Sequence, residues 1–284
     1  MFNAVRRYLP GKLGNPAPVL PVVRLQGAIG MATPLRPGLS LSSVANNLDK
    51  AFAFKKAPAV ALIVNSPGGS PVQSRLIYQR IRALAEEHEK QVLVFVEDVA
   101  ASGGYMIALA GDEIIADPSS VVGSIGVVSA GFGFVDLLDK IGVERRVHTS
   151  GTRKAILDPF RPEVEGDVAH LKALQHEIHE VFIDMVRTRR GERLREDDEL
   201  FSGLFWAGEA GRDRGLVDAI GDLRSTAREK FGKDVKLRLI GGERSFFPRK
   251  AGVGLEALMG GRDGLSADII SALEARALWA RFGL

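Results

Sequence analysis

An α/β fold with a mostly parallel sheet and peripheral helices is predicted from the order of apolar segments along the chain. Three continuous apolar runs, at 58–65, 91–96 and 113–116, are typical of strands that are buried on both faces. Apolar residues at helical spacing from Val72 to Leu84 separate the first two runs, and a helix of small residues after Ser102 separates the second from the third. Strands that alternate with helices favour right-handed crossovers between parallel strands.

The remaining elements follow from the same spacing rules. In chain order they are a strand at 19–25, a helix at 40–55, a short helix at 135–141, a short strand at 144–149, a long helix at 163–190 and a final amphipathic helix at 266–282. The long helix carries an apolar stripe that we expect to pack against the core or against another subunit. Its members are Val164, Val168, Leu171, Leu174, Ile178, Val181, Phe182 and Met185. The chain then divides into an N-terminal extension (1–18), one α/β domain (19–240) and a C-terminal tail (241–284).

The composition excludes several kinds of site. The chain contains no cysteine, so disulfides, zinc–thiolate sites and thiol nucleophiles are excluded. The formal net charge is +3 and the basic residues are interspersed with acidic ones, so charge gives no reason to expect a nucleic-acid partner. A hydrophobic fraction of 45% is enough to build a core.

The sequence predicts a cytoplasmic protein. It contains no apolar run of about 18 residues, which is the length that spans a membrane. Residues 1–27 include Arg6 and Arg7, but prolines interrupt the apolar stretch and no cleavage site follows, so a secretory signal is not predicted. Both ends of the chain are short, apolar and partly basic. Packing on protein is favoured for them, and peripheral contact with the inner membrane is the alternative.

Two glycine-containing turns follow consecutive predicted strands, SPGG at 66–69 and ASGG at 101–104. In open parallel sheets, sites form at the carboxyl ends of the strands, so we expect the two turns to lie close together. A tetrahedral oxyanion needs two backbone N–H donors at roughly 2.7–3.1 Å. The amides of Gly69 and Gly103 are the natural pair, and Ser102 would then be the nucleophile.

Each turn also has a purely structural interpretation. Pro-Gly-Gly is common in turns, and serine is a preferred N-cap residue. Either turn alone is more typical of structure than of catalysis, whereas the two together, after consecutive strands, favour catalysis. A phosphate-binding turn is disfavoured, because neither turn matches GxGxxG or supplies the lysine of GxxxxGK[ST].

A serine nucleophile needs a base, and the residues themselves leave two candidates. His148 is the first, because the other histidines are predicted to be solvated surface residues: His88, His170, His176 and His179. Lys154 is the second, because it stands between Gly151 and the apolar run 155–157. A lysine acts as a base when burial keeps its amine neutral.

Four motifs in order resemble the signal peptide peptidase A family of serine peptidases. They are VNSPGGSPVQSRLIYQRI, EDVAASGGYMIALAGDEIIADPSSVVGSIGVV, SGTRKAILDPFRP and WAGEAGRDRGLVDAIGDL, and they cover about 58–222. The resemblance implies a ClpP/crotonase-like fold, which is a repeated β-β-α superhelix, and it makes 19–240 a peptidase domain. It also implies a serine–lysine dyad.

The resemblance assigns a role to five residues. It makes Ser102 the nucleophile and Lys154 the general base, and it makes Ser124 the residue that orients the lysine. Gly69 and Gly103 supply the oxyanion hole.

Two positions depart from related patterns. Relatives with a Ser-His-Asp triad carry the histidine some 25 residues after the serine, where this chain has Val127, and this favours lysine as the base. The family lysine is commonly followed by an acid, whereas Lys154 is followed by Ala155. This second departure leaves the dyad intact.

The resemblance implies a serine endopeptidase that needs no metal or other cofactor. Its substrates would be short or unfolded apolar peptides, such as remnant signal peptides, and its subunits would form a homo-oligomer, because the family assembles as rings or domes. Many members carry a membrane anchor at the N-terminus, and this sequence shows none. Two alternatives stay open: a crotonase-fold enzyme that acts on acyl thioesters, and a non-catalytic scaffold that binds peptides.

Overall fold

The computed structural model of the chain describes residues 17–30, 38–241 and 276–284. Its centre is one sheet with eight strands: β1 (Val19–Gln26), β2 (Ala59–Ser66), β3 (Gln91–Ala101), β4 (Glu113–Ala116), β5 (Val121–Gly123), β6 (Phe205–Ala207), β7 (Ala219–Ile220) and β8 (Lys236–Ile240). The strand order is β6-β5-β3-β2-β1-β8, and β4 pairs with β3 and β7. Every pair in this sheet is parallel except β5–β6, so the predicted α/β class with a mostly parallel sheet is confirmed.

Helices cover both faces of the sheet. They are α1 (Leu41–Phe52), α2 (Pro71–Glu87), α3 (Gly103–Ala108), α4 (Val135–Ile141), α5 (Glu165–Arg190), α6 (Gly208–Asp213) and α7 (Leu223–Phe231). The larger buried cluster joins α1, α2, α3 and the C-terminal part of α5 to one face, and the smaller cluster holds α7 on the other. Val60 and Leu62 of β2 belong to the larger cluster and Ala59 and Ala61 to the smaller one. Because successive residues of a strand point to opposite faces, a strand covered on both faces has a continuous apolar sequence.

Strand β3 changes its neighbour partway along. Its first part, Leu93–Val96, pairs with β4, and its last part, Val99–Ala101, pairs with β5. The predicted strand ended at Val96, because Glu97 and Asp98 interrupt the apolar run. The observed strand continues through these two acidic residues to Ala101, so it delivers Ser102 directly at its end.

The segment 127–163, here called the arm segment, contains no buried residue. It includes α4 as predicted, but the strand predicted at 144–149 is wrong. A strand needs a neighbouring strand to satisfy its backbone, and the arm segment packs on itself instead. The Phe134 and Phe160 rings stack at 5.4 Å, and the Phe134 amide donates to the Pro159 carbonyl at 2.7 Å.

The stripe predicted on the long helix is only partly right. In α5 the buried residues are Phe182, Ile183, Val186 and Arg190, all in its C-terminal part. Three members of the predicted stripe are exposed: Val164, Leu174 and Val181. Periodicity indicates which residues share a face, but it does not say how much of that face another element covers.

Some predictions fall outside the described residues. The N-terminal extension (1–18) is described only from 17, and the C-terminal tail (241–284) only at 241 and from 276. Within the predicted final helix (266–282), residues 276–280 are helical. Across the described ranges, none of the helices is both long enough and apolar enough to cross a membrane.

Candidate active site

Ser102 occupies the turn between β3 and α3 in a backbone conformation that is rare for a residue with a side chain. Its φ is 51° and its ψ is −123°, which costs on the order of 1–3 kcal/mol. The turn is held by the Ser102 amide, which donates to the Gly123 carbonyl of β5 at 2.8 Å. The Ser102 side chain makes no capping hydrogen bond to α3. The N-cap interpretation therefore lacks the hydrogen bond that defines it, and the Ser102 hydroxyl is not engaged in capping the helix.

The turn at 66–69 packs directly on Ser102, as the sequence predicted. A Cβ added to Gly68 would lie 2.8 Å from the Ser102 Cβ and 3.0 Å from the Gly103 nitrogen. The Ile29 amide donates to the Gly68 carbonyl at 2.8 Å, and the Ser70 amide donates to the Ile29 carbonyl at 2.9 Å. These two bonds fix the turn on both sides of Gly69.

Both predicted oxyanion donors have their N–H groups available. Within the described residues, neither the Gly69 amide nor the Gly103 amide donates a hydrogen bond. Both glycines also lie against Ile29, since a Cβ on Gly103 would come 3.3 Å from its Cδ1 and a Cβ on Gly69 would come 2.2 Å from its carbonyl oxygen. Two free amides beside a serine hydroxyl are what an oxyanion hole requires.

Replacing Gly69 by alanine is expected to lower kcat/KM for peptide hydrolysis by at least about tenfold, because the new Cβ meets the Ile29 carbonyl oxygen and must displace the turn. Gly27→Ala is the matched control. Gly27 also has a positive φ, 105° against 137° for Gly69, but a Cβ there meets no described atom within 4 Å. Kinetics and urea unfolding of both variants separate backbone strain from the clash. Equal losses in the two variants would contradict the clash.

Ser124 is buried next to the turn that carries Ser102. It follows Gly123, the residue whose carbonyl accepts from the Ser102 amide, and its own amide donates to the Leu204 carbonyl at 2.7 Å. Like Ser102, it has a positive φ, here 53°. The Ser102–Gly123 hydrogen bond thus has a strained serine at each end, Ser102 as its donor and Ser124 directly after its acceptor. Such strain is uncommon in a part of the fold that serves stability alone.

The two candidate bases lie on the arm segment, and within the described residues the side chain of neither one hydrogen-bonds to these groups. Lys154 and His148 are both exposed. In the described chain the Lys154 amine makes no hydrogen bond and no ion pair, and only its backbone amide is engaged, with the Gly151 carbonyl at 3.3 Å. The structure thus brings together Ser102, Ser124 and the two glycine amides, and it does not bring a base to them.

His179 was predicted to be a solvated surface residue, and this is wrong. It is half-buried on α5, and its Nε2 lies 3.0 Å from the carbonyl oxygen of Ile125, the residue after Ser124. Because a carbonyl only accepts hydrogen bonds, Nε2 carries the proton and donates it. The signal was present in the sequence, since His179 precedes the buried Phe182 by three residues and Ile183 by four.

Helix α3 and the residues that follow it are anchored by two side chains. The Tyr105 hydroxyl donates to the Leu216 carbonyl at 2.8 Å, and burial raises the pKa of this phenol, so that it stays protonated. From α5, the Arg189 guanidinium donates to the carbonyls of Leu109 and Gly111, both at 2.8 Å. The Arg189 cation therefore binds two carbonyls just beyond the C-terminal end of α3, where a positive charge complements the helix dipole.

Elsewhere in the described ranges, no group of three or more His, Asp or Glu side chains is placed to hold a metal ion. The groups that meet at this site are a serine hydroxyl and two free backbone amides. This combination suits acyl transfer.

Comparison with known proteins places this site within a family. The family model for peptidase family S49 matches residues 85–238, which include Ser102, Ser124 and Lys154. A serine protease SPPA of the Arabidopsis thaliana chloroplast is 31% identical over 230 residues, which are 78% of this chain and 33% of that protein. Among solved structures, the 1510-N membrane-bound stomatin-specific protease is 15% identical and matches 81% of this chain and all of its own, with a TM-score of 0.49.

A more similar relative has a different name. A Brucella abortus protein named Na(+)/H(+) antiporter NhaA is 57% identical over 286 residues, which are 99% of this chain but 39% of that protein. The chain thus spans about two fifths of its length, and the antiporter name does not transfer to this chain, because the family model that matches here is a peptidase model. The chain belongs to peptidase family S49, a family of serine peptidases.

Proposed function

We propose that this chain is a serine endopeptidase that cuts short or unfolded apolar peptides with a Ser102–Lys154 dyad. One observation carries the proposal. In a chain of peptidase family S49, Ser102 is held in a strained turn without a capping bond, beside the free amides of Gly69 and Gly103. Strain of this kind is retained where it aims a reactive group.

The proposed reaction has two halves. Lys154, as a neutral amine, takes the proton of the Ser102 hydroxyl while the oxygen attacks the peptide carbonyl, and the amides of Gly69 and Gly103 stabilise the oxyanion. The Lys154 ammonium then gives its proton to the leaving nitrogen as the C–N bond breaks, which leaves an acyl ester on Ser102. Water, deprotonated by the same amine, attacks the ester. The Lys154 ammonium returns this proton to the serine oxygen as the ester bond breaks, and the acyl fragment leaves as a carboxylic acid, which ionises in water. Lys154 has to approach Ser102 from its exposed turn for either half to proceed.

The binding of an extended peptide is supported by the start of the arm segment. Residues 126–133 come directly after the site, and they make no backbone hydrogen bond within the described chain. Unpaired backbone groups can pair with a substrate main chain, as in other cases where a peptide adds a strand to a sheet. Val128 and Phe132 in this stretch are exposed, which favours apolar substrate side chains.

We also propose that the protein is a homo-oligomer. The arm segment exposes large apolar side chains over much of its length, among them Phe132, Leu137 and Ile141. Several large apolar side chains exposed within one segment are typical of an interface. Size-exclusion chromatography with light scattering tests this, and a monomer at all concentrations would contradict it. The cytoplasmic location, with membrane contact of the chain ends as its alternative, stays a prediction.

One observation favours a second candidate, the non-catalytic peptide-binding scaffold. The proposed base is exposed and has no described side-chain partner, as would be expected if it had no role. The retention of a strained Ser102 favours catalysis instead, since a scaffold gains nothing from the strain. The thioester alternative shares the two amides but needs no lysine.

The test combines substrate turnover with labelling of the nucleophile. The purified protein is incubated with a quenched-fluorescent apolar peptide, with an acyl-CoA thioester, and with a fluorophosphonate that modifies reactive serines. The proposal expects peptide hydrolysis, no thioester turnover, and a label that mass spectrometry finds on Ser102 and that is absent from Ser102→Ala. Turnover of the thioester alone would favour the crotonase-like alternative. A silent, unlabelled protein that still binds the peptide would favour the scaffold.

A further inference from the structure

A bulge in β3 decides where the nucleophile turn is placed. The pairing of β2 with β3 runs from Val64–Val96 to Ser66–Ala100, so three residues of β3, 97–99, stand opposite the single residue Asn65. Bulges bend a strand and redirect the residues after the bend. Within this bulge β3 leaves β4 and, from Val99, pairs with β5, and Ser102 follows the end of the strand.

Two side chains hold the bulge. The Ser120 hydroxyl donates to the freed Glu97 carbonyl at 2.5 Å. The Asp98 carboxylate, turned out of the ladder, accepts a hydrogen bond of 2.6 Å from the side-chain nitrogen of Asn65. This second bond ties the bulged strand to the residue that immediately precedes the turn at 66–69.

Asn65 is also tied to the first strand, so it sits where three strands meet. Its carbonyl accepts from the Gly27 amide at 3.0 Å, and its neighbour Ser66 donates its hydroxyl to the Gly27 carbonyl at 2.7 Å. The same Ser66 oxygen lies 3.3 Å from the Gly68 amide, inside the turn. A shift of Asn65 would therefore move the amide of Gly69 relative to Ser102.

The Asn65 side chain is not explained by stability alone. The residue is only 4% exposed, and its buried Oδ1 has no hydrogen-bond partner among residues 17–30, 38–241 and 276–284. A buried unpaired oxygen costs roughly 1–3 kcal/mol, a cost that an apolar side chain of similar size, such as leucine, would avoid. What asparagine supplies and leucine does not is the bond to Asp98.

We propose that Asn65 and Asp98 are positioning residues, which hold the turn that carries Gly69 in register with the turn that carries Ser102. They touch neither substrate nor the reacting atoms. The pair acts through the bulge, so that the oxyanion donors and the nucleophile face one another before a substrate binds. This inference rests on the proposed peptidase function.

The test compares neighbouring acidic residues of the same bulge. Asp98→Ala is expected to lower kcat by about 10- to 100-fold, since displacements near 1 Å at a catalytic centre cost this much, with KM within about twofold of the parent. The rate of fluorophosphonate labelling of Ser102 should fall in parallel. Glu97→Ala is the matched control, because Glu97 pairs with Arg24 on the surface, and both rates should stay within about twofold. Asp98→Asn should recover most of the activity, because its amide oxygen can still accept from Asn65.

The remaining outcomes separate a failure of this inference from a failure of the proposed function. Equal effects of Asp98→Ala and Glu97→Ala would overturn the inference. So would an Asp98→Asn variant as impaired as Asp98→Ala, because the charge and not the hydrogen bond would then matter. The labelled fraction at the end of the reaction, unlike the labelling rate, counts the folded molecules. If kcat fell only as much as this final fraction, the cause would be partial unfolding, and the inference would also be overturned. A parent protein that neither hydrolyses peptides nor takes the label would refute the proposed function itself.

Discussion

Replacing Lys154 by alanine is expected to lower peptide hydrolysis by at least about a thousandfold and to leave the melting temperature unchanged. The side chain is exposed and makes no described hydrogen bond or ion pair, so the folded chain loses no described polar contact. The loss of activity follows because Ser102 then has no group to take its proton. Hydrolysis of the quenched-fluorescent peptide and a thermal melt of the same sample measure the two quantities.

Lys140→Ala is the matched control, because Lys140 is another exposed lysine of the arm segment. It should keep the activity of the parent. The double variant Ser102→Ala/Lys154→Ala should be no worse than Ser102→Ala, since residues that act as one unit are not additive. An active Lys154→Ala together with an inactive His148→Ala would assign the base to the histidine.

Replacing Asp218 by alanine is expected to lower the free energy of unfolding by about 3–5 kcal/mol. Both oxygens of this carboxylate accept from Arg190, at 2.8 and 2.9 Å, and the Arg190 side chain is only 1% exposed. Without Asp218, a buried guanidinium has no counter-charge. The control is Asp213→Ala, which breaks an exposed pair with Arg212 and should cost under about 1 kcal/mol. Urea unfolding at neutral pH measures both, and similar losses would contradict the role of burial.

The contribution of Asp218 should also disappear in acid. Burial raises the pKa of this carboxyl, but hydrogen bonds from Arg190 and from the Ile114 amide outweigh it, and the net pKa lies below the usual value. A carboxyl with a lower pKa in the folded state stabilises the fold above its unfolded pKa, about 3.9, and loses this contribution as the pH falls through the folded pKa. The difference in unfolding free energy between the parent and Asp218→Ala should therefore shrink below about pH 4.

The core and the two turns could be predicted from the sequence because local rules decide them. A strand covered on both faces must be apolar throughout, which marks β2, and a turn with a strained backbone favours glycine, which marks Gly69. The bulge of β3 could not be predicted, because Glu97 and Asp98 look like the end of a strand when their partners Arg24 and Asn65 are unknown.

Helix α4 of the arm segment was predicted, but the exposure of the segment could not be predicted, for a related reason. Its residues have apolar patterns like those of a core, but no strand or helix of the described chain covers them. His179 was missed because its charged neighbours suggested solvent, whereas its helical spacing from Phe182 indicated the buried face. The position of Lys154 relative to Ser102 depends on where a whole segment lies, and no local rule encodes this.

The pairing of β1 with β8 has a consequence for how the chain folds during its synthesis. Val19 lies beside Lys236, so strands more than 200 residues apart in sequence are neighbours in the sheet. During synthesis β1 can pair with β2 early, but its other edge stays open until Ile240 has emerged from the ribosome. Contacts between such distant residues form late and slowly, and an open edge can pair with another chain in the meantime. One edge of β1 therefore stays unpaired during translation until nearly the whole described core has been made.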